Sequence, residues 1–555
     1  MKENIRFSNL DRESTVKKLS KETFDLVVIG GGITGGGIAL DAASRGMKVA
    51  LVEKGDFASG TSSKSTKLIH GGLRYLKQFD FWLVKEVGSE RAIVHKLAPH
   101  LVLPEKMLLP LIENGSYGKW LTSIGLKVYD ILAQVTGDDK RKMLEKKEAL
   151  KLEPLLPKKI LKGAGYYAEY RTDDARLTIE NIKTSLIYGA LALNYAAVND
   201  FVYKDGRISG VKIKDGISEK DFTIKTKYVI SAAGPWVDEL RSINNSKKGK
   251  RLHLTKGVHL VFPYEKLPVK QSVYFDVPDG RMMFAIPRGK VTYVGTTDTN
   301  FNNDKDNVQV DLADAMYLLS AVNHMFPKIN LEMEDIMSSW AGLRPLIHEE
   351  GKSASELSRK DEIFTSETGL VSIAGGKLTG YRKMAERVVN RIAKKMEEDY
   401  EREINPSESD KIPLCGSDFK KFKHVTRYIN EVYEKISSDG FTQHDAWFLV
   451  TNYGKQTELI LENYAKLKDK DAYLRMAKAE LHFGIDYEMV QNPMDFFVRR
   501  TGRLYFDIDS VRNLMDPILA EFKVIFKTDD ATIAGYRDKL KTLITEHSDF
   551  SLDRF

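Results

Sequence analysis

The chain has 555 residues, enough for two or three domains with large cores. Hydrophobic residues at 42% and charged residues at 29% describe an ordinary globular protein, and a net charge of +7 spread over this length is too dilute to mark a nucleic-acid binder. The single cysteine, Cys415, excludes an internal disulfide and any multi-cysteine metal site, so no metal centre is expected.

The first 23 residues are charged and polar, unlike a secretory signal, and no apolar run approaches the roughly 20 residues that span a bilayer. A cytosolic or membrane-surface protein is therefore expected. The run Phe24 to Ile29 reads as a buried parallel strand, too short and too β-branched for a helix. Gly30, Gly32 and Gly35 follow with the spacing G-x-G-x-x-G, and Ile33 to Arg45 has helical composition. A second apolar run, Met47 to Val52, ends in Glu53. In such a unit Gly30 makes the tight turn, Gly32 lets the backbone approach a pyrophosphate and Gly35 lets the helix pack on the sheet. The helix start offers N–H groups and a positive dipole end, and Glu53 stands where a carboxylate accepts from ribose hydroxyls. A dinucleotide held by its adenosine half is expected.

Hydroxyls and cations crowd Thr61 to Tyr75, whose later half is apolar, which suggests a loop that donates to an anion while packed against something such as a cofactor. Leu121, Ile124, Val128 and Val135 recur at helical spacing beside Trp120. That helix either packs on its own core or dips Trp120 into a headgroup region. Asp173 and Asp174 precede an evident helix and read better as N-capping residues than as an acid/base pair. Tyr228 to Ile230 is a buried strand closing on small residues, so that Ala233 and Gly234 can lie against a cofactor. Leu252 to Val308 alternates strands with Pro and Gly turns and predicts a largely antiparallel sheet carrying substrate contacts. Gly369 to Gly376 again ends a strand on glycines before a helix. From Phe419 onward helical periodicity dominates, with caps at Thr442 and Asp471. The basic and aromatic cluster Asp495 to Arg503 is an interdomain, oligomer or lipid contact.

The run Thr61 to Leu76 resembles the signature of the FAD-dependent glycerol-3-phosphate dehydrogenases, flavoproteins that pass electrons to quinone. Ser231 to Trp236, Lys256 to His259, Gly295 to Asp298, Gly342 to Leu346 and Gly375 to Thr379 agree with it. The likeness extends from about Phe24 to about Ala393, and more weakly beyond. It implies an α/β fold: an FAD-binding Rossmann-like domain of the glutathione-reductase or D-amino-acid-oxidase type, an antiparallel-sheet substrate domain and a C-terminal helical domain. The expected boundaries are 21–100, 160–250 and 340–396 for the discontinuous FAD domain, 101–159 and 251–339 for the substrate domain, and 410–555 for the helical domain.

Expected FAD contacts are Gly30, Gly32, Gly35, Glu53, Thr61, Ser62, Ser63, Gly72, Ala233, Gly234, Gly376, Lys377, Leu378 and Thr379. Arg74 and Arg344, each in a Gly-Leu-Arg context, offer guanidinium forks to a phosphate dianion, and the resemblance adds Arg359 as a third contact, with Tyr75 beside Arg74. Oxidising a secondary alcohol requires a base for its hydroxyl proton. His259 and Lys377 are the candidates, with His70 a third. The implied reaction moves the C2 hydride of sn-glycerol 3-phosphate to flavin N5 and yields dihydroxyacetone phosphate. A quinone is the expected electron acceptor; the alternative is an oxidase that returns electrons to oxygen and makes peroxide. The expected setting is the cytoplasm, peripheral on the inner face of the cell membrane, with a second copy of the chain as a further partner and no nucleic acid.

Overall fold

In a computed structural model that describes residues 5–70, 81–115, 141–348 and 361–550, the run after Thr23 forms β1 (Thr23–Ile29), buried throughout beyond its first residue. β1 lies between β2 (Val49–Val52) and β3 (Asp221–Ser231) and is parallel to both. The strand Leu370–Ala374 runs parallel on the far side of β3, and Leu191–Leu193 parallel beyond β2. Parallel neighbours need crossovers, and the first is α1 (Ile33–Ser44), which starts at the glycine turn as expected. α2 (Asp174–Ile187) and α3 (Tyr381–Tyr400) pack on α1 at Gly36 and Gly37. A Cβ at Gly36 would stand 3.2 Å from Ile182 Cγ1, and one at Gly37 3.0 Å from Tyr381 Cδ2, so the glycine run sets a close three-helix contact as well as the turn. The hairpin Ala196–Lys204 and Arg207–Asp215 extends the first half of β3 antiparallel, the small inserted sheet.

A second sheet faces the first. Its spine is β4 (Arg251–Pro263), paired antiparallel with β5 (Ser338–His348) from Arg251↔His348 to Val261↔Ser338. Val291–Gly295, Met282–Arg288 and Ser272–Asp276 follow in antiparallel order, as the turns between 252 and 308 predict. Among the described residues the one parallel pairing in this sheet joins Ser272–Asp276 to Leu103–Ile112. Leu161–Arg171, inside the 160–250 segment, hydrogen-bonds in this second sheet and pairs with Leu68–Ile69 at its end.

Helices from Phe422–Ile436 to Asp530–Ser548 make up the C-terminal part, with Thr442 and Asp471 accepting from the backbone as N-caps. The cluster Asp495 to Arg503 faces inward. Arg500, only 1% exposed, grips Asp56 with Nη1 and Nη2 at 2.7 and 2.8 Å, and Arg499 Nε reaches the same carboxylate at 2.5 Å. It is therefore a contact between the helical part and the loop after β2. Among the described residues no helix is long and apolar enough to cross a membrane. The expected helix around Trp120 lies outside the described residues.

Candidate active site

The ends of β1, β3 and Leu370–Ala374 open on a cavity of about 1030 Å³ whose other wall is the second sheet. Gly30 turns off β1 at φ +115°, and a Cβ there would stand 2.6 Å from the Ala232 carbonyl oxygen. Only glycine fits. A Cβ at Gly35 would fall on the Gly30 carbonyl, so Gly35 serves helix–strand packing and takes no place in the cavity wall. Gly32 is the N-cap residue of α1 and does line the cavity. Ser62 Oγ accepts from the Ile33 N–H at 2.9 Å, leaving its own proton to donate to an anion at the helix start.

Glu53 is spent partly on structure. Its Oε2 accepts from the Gly31 N–H at 2.7 Å and its Oε1 from the Gly55 N–H at 2.8 Å. Burial pushes the carboxyl up, and these two donors pull part of that shift back. Thr61 lines the cavity but gives its hydroxyl to the Leu343 carbonyl at 2.7 Å. Ser63, an expected FAD contact, is fully buried and outside the wall, and its carbonyl accepts from Lys67 Nζ at 3.0 Å. Ala233, Gly234, Gly376, Lys377, Leu378 and Thr379 all line the cavity. Gly375 and Gly376 both have φ +80°, which turns the chain from its strand into the helical start at Leu378. Thr379 is fixed by His70: it accepts from the His70 N–H and donates to the His70 carbonyl, both at 3.1 Å.

The second sheet supplies the remaining groups. Arg344 on β5 donates from Nη1 to the Thr297 carbonyl at 2.8 Å and from Nη2 to Thr296 Oγ1 at 2.8 Å, with Asp298 Oδ1 at 3.2 Å. Its guanidinium crosses Gly257, where any Cβ would collide with it. His259 lies on the neighbouring β4, 1% exposed, its ring stacked on Trp340 at 4.7 Å and 12°. Its Nε2 meets Thr66 Oγ1 at 3.0 Å. Burial first, then the nearby Arg344 and Lys67 charges, hold this imidazole well below the usual histidine range, so it is neutral. His70, edge-on to Phe284, is lowered to about 3 by burial, Lys377 and Arg91. Asp173 caps α2 through the Arg176 N–H, as expected, while Asp174 pairs with Lys67 at 2.5 Å. Gly72, Arg74, Tyr75 and Arg359 lie outside the described residues.

Sequence reasoning missed Lys64, Thr66 and the aromatic pair Tyr274 and Phe284, stacked at 4.3 Å in the cavity wall. Burial, with Arg499 behind it, lowers the Lys64 ammonium to about 8. The available signal was glycine inside strands: Gly342 admits the Lys64 backbone and Gly257 admits Arg344.

A bare glycine turn, a helix start with a serine hydroxyl beside it, a ribose-height carboxylate and a long cavity roofed by a second sheet fit FAD. The fold and site define an FAD-dependent oxidoreductase: residues 25–382 match the family model for FAD-dependent oxidoreductases, and 407–533 match that for the C-terminal domain of alpha-glycerophosphate oxidase. The chain is 48% identical, over 98% of both chains, to an aerobic glycerol-3-phosphate dehydrogenase of Bacillus subtilis, and 47% identical over the same share to one of Staphylococcus aureus. It therefore belongs to the aerobic glycerol-3-phosphate dehydrogenase family. Among solved structures it is similar to the glycerol-3-phosphate dehydrogenase of Bacillus halodurans in complex with FAD, at 41% identity and a TM-score of 0.84 over 98% of this chain and 99% of that one. An L-alpha-glycerophosphate oxidase of Mycoplasma pneumoniae, at 20% identity and a TM-score of 0.55, shares the fold.

Proposed function

We propose that this chain oxidises sn-glycerol 3-phosphate to dihydroxyacetone phosphate and hands the electrons to a quinone at a membrane surface. The observation that carries the reading is the pairing of a guanidinium, Arg344, with a buried neutral imidazole, His259, on adjacent strands facing a dinucleotide cradle. When bound, FAD supplies the hydride acceptor, N5 of its isoalloxazine ring.

The chain's own groups do the rest. Arg344, joined by Arg74 and Arg359, holds the phosphate dianion through a two-pronged fork, which places C2 and its hydroxyl in register. His259 accepts the hydroxyl proton at Nε2, displacing its contact with Thr66 Oγ1, and the arriving dianion raises the basicity that burial had lowered. Lys377, at the helical start on the nucleotide-domain wall, steadies the developing alkoxide. The second sheet excludes water from the reacting carbon. A quinone as acceptor, a peripheral place on the inner membrane face and a paired second copy of the chain complete the reading.

The test is spectral. Under anaerobic conditions, glycerol 3-phosphate should bleach the yellow holoenzyme and glycerol should not. Subsequent mixing with a soluble quinone should restore the colour faster than mixing with oxygen. Faster return with oxygen, together with peroxide, would assign an oxidase, and no bleaching would remove the reading altogether.

A further inference from the structure

Lys67 is 1% exposed, sits in the left-handed backbone region at φ +57° and is absent from the cavity wall. A buried lysine in a strained conformation persists only where its surroundings over-determine it. Here they do. Nζ donates to Asp174 Oδ1 at 2.5 Å and to the Ser63 carbonyl at 3.0 Å, and it lies 5.6 Å from the ring centres of Trp340 and Tyr505. Asp174 Oδ2 in turn accepts from the Ser65 N–H at 2.9 Å, and Trp340 Nε1 donates to the Ser65 carbonyl at 3.1 Å. The Tyr293 hydroxyl fixes the Thr66 carbonyl at 3.1 Å. Every residue from Ser63 to Thr66 except Lys64 is thus pinned to this cage, and the pinned loop ends by presenting Thr66 Oγ1 to His259.

We propose that Lys67, clamped between Asp174 and the rings of Trp340 and Tyr505, is a positioning residue for His259: it fixes both the indole on which the imidazole stacks and the loop whose threonine meets Nε2. The inference rests on His259 being the proton acceptor. Tyr505 belongs to the C-terminal helical part, and its carbonyl is tied to β5 by the Ser338 hydroxyl at 2.5 Å, so that part closes the cage from behind. The charged and titratable groups facing His259 are Arg344 from β5, Lys67 from the loop with Asp174 from α2 behind it, and the neutral Tyr293 phenol from Val291–Gly295. Both cations disfavour imidazolium, so removing Lys67 makes protonation easier.

The experiment reads the acidic limb of kcat at saturating glycerol 3-phosphate in holoenzymes of matched FAD content. Lys67→Met should move that limb upward by about one pH unit, the order expected from one nearby charge. It should also lower kcat about tenfold, with KM held within about twofold, as for a displaced proton acceptor. Because Lys67→Met strands a buried carboxylate, Lys67→Met/Asp174→Asn is made beside it; with both charges gone its limb should shift less, while its kcat stays about tenfold down at unchanged KM. A double variant with the kcat of the parent overturns the proposal, since a lysine with no hold on His259 costs no turnover once the stranded carboxylate is removed. His259→Asn with kcat near that of the parent would instead remove the reading beneath it, a result distinguishable from the first.

Discussion

On the proposed mechanism Arg344 and His259 act on different parts of one substrate, so their variants should fail differently. Arg344→Ala removes charge-assisted hydrogen bonds of about 1.5–3 kcal/mol, a loss of about 10- to 150-fold in kcat/KM for glycerol 3-phosphate. Unphosphorylated glycerol, already a poor substrate, should lose little, and an equal loss for both would count against a phosphate contact. His259→Asn should leave KM nearly unchanged and lower kcat by about 10²- to 10⁴-fold. The pH dependence separates the two candidate bases. A histidine held well below 6.5 in the free enzyme has already lost its proton at any pH above that range, so kcat/KM, which reports the free enzyme, shows no limb above pH 7. A limb above pH 8 would transfer the role to Lys377.

The helix α1 and its glycine turn show how much of an element can be read from sequence. Strand, glycine spacing, helix and terminal carboxylate are all local signals, and each fell where expected because none depends on a distant partner. What a side chain does inside that frame was less legible. Thr61, Ser62 and Ser63 all carry hydroxyls, yet Thr61 is spent on Leu343, in a strand far along the chain, and Ser63 is interior, held by Lys67. Leu161–Arg171 is the same case at strand scale, since an apolar run does not state which sheet it joins. The glycines themselves give a graded prediction. Gly35→Ala cannot be housed against the Gly30 carbonyl and should give no folded protein. Gly32→Ala meets only the movable Ser62 hydroxyl at 3.0 Å, so the fold should survive while the pyrophosphate is pushed away. Fluorescence titration of the apoprotein should show FAD affinity at least about tenfold weaker, about 1.4 kcal/mol, with the melting temperature little changed.

The whole molecule is joined through buried charge. Arg176 of α2 grips Glu488 at 2.6 Å and Glu180 at 2.5 Å, Lys183 joins the same carboxylates, and Arg499 and Arg500 hold Asp56 three residues beyond Glu53. The helical part therefore braces the loop that follows Glu53, which the cluster Asp495 to Arg503 announced only as one of three alternatives. Burial alone would raise Asp56 and Glu488, but the surrounding arginines and Lys183 more than offset it and hold both at about 2. Asp495 and Glu180 are shifted the other way, raised chiefly by burial. The signs follow from linkage. A depressed carboxyl adds stability that is complete above its unfolded value near 4 and is lost as the pH falls through 2, whereas a raised one costs stability that is relieved as it protonates on the way down towards 4. Stability should thus hold level or rise slightly from pH 6 to pH 4 and fall between pH 4 and pH 2, by about 2–3 kcal/mol for each of Asp56 and Glu488. Release of flavin fluorescence along an acid titration measures it. In Arg500→Met, which leaves Asp56 buried with less compensation, stability at neutral pH should fall by about 3–5 kcal/mol, so that flavin release begins at a lower denaturant concentration. Adding Asp56→Asn should recover part of that loss, and a double variant no more stable than the single would show that packing, not charge, joins the helical part to the cofactor loop.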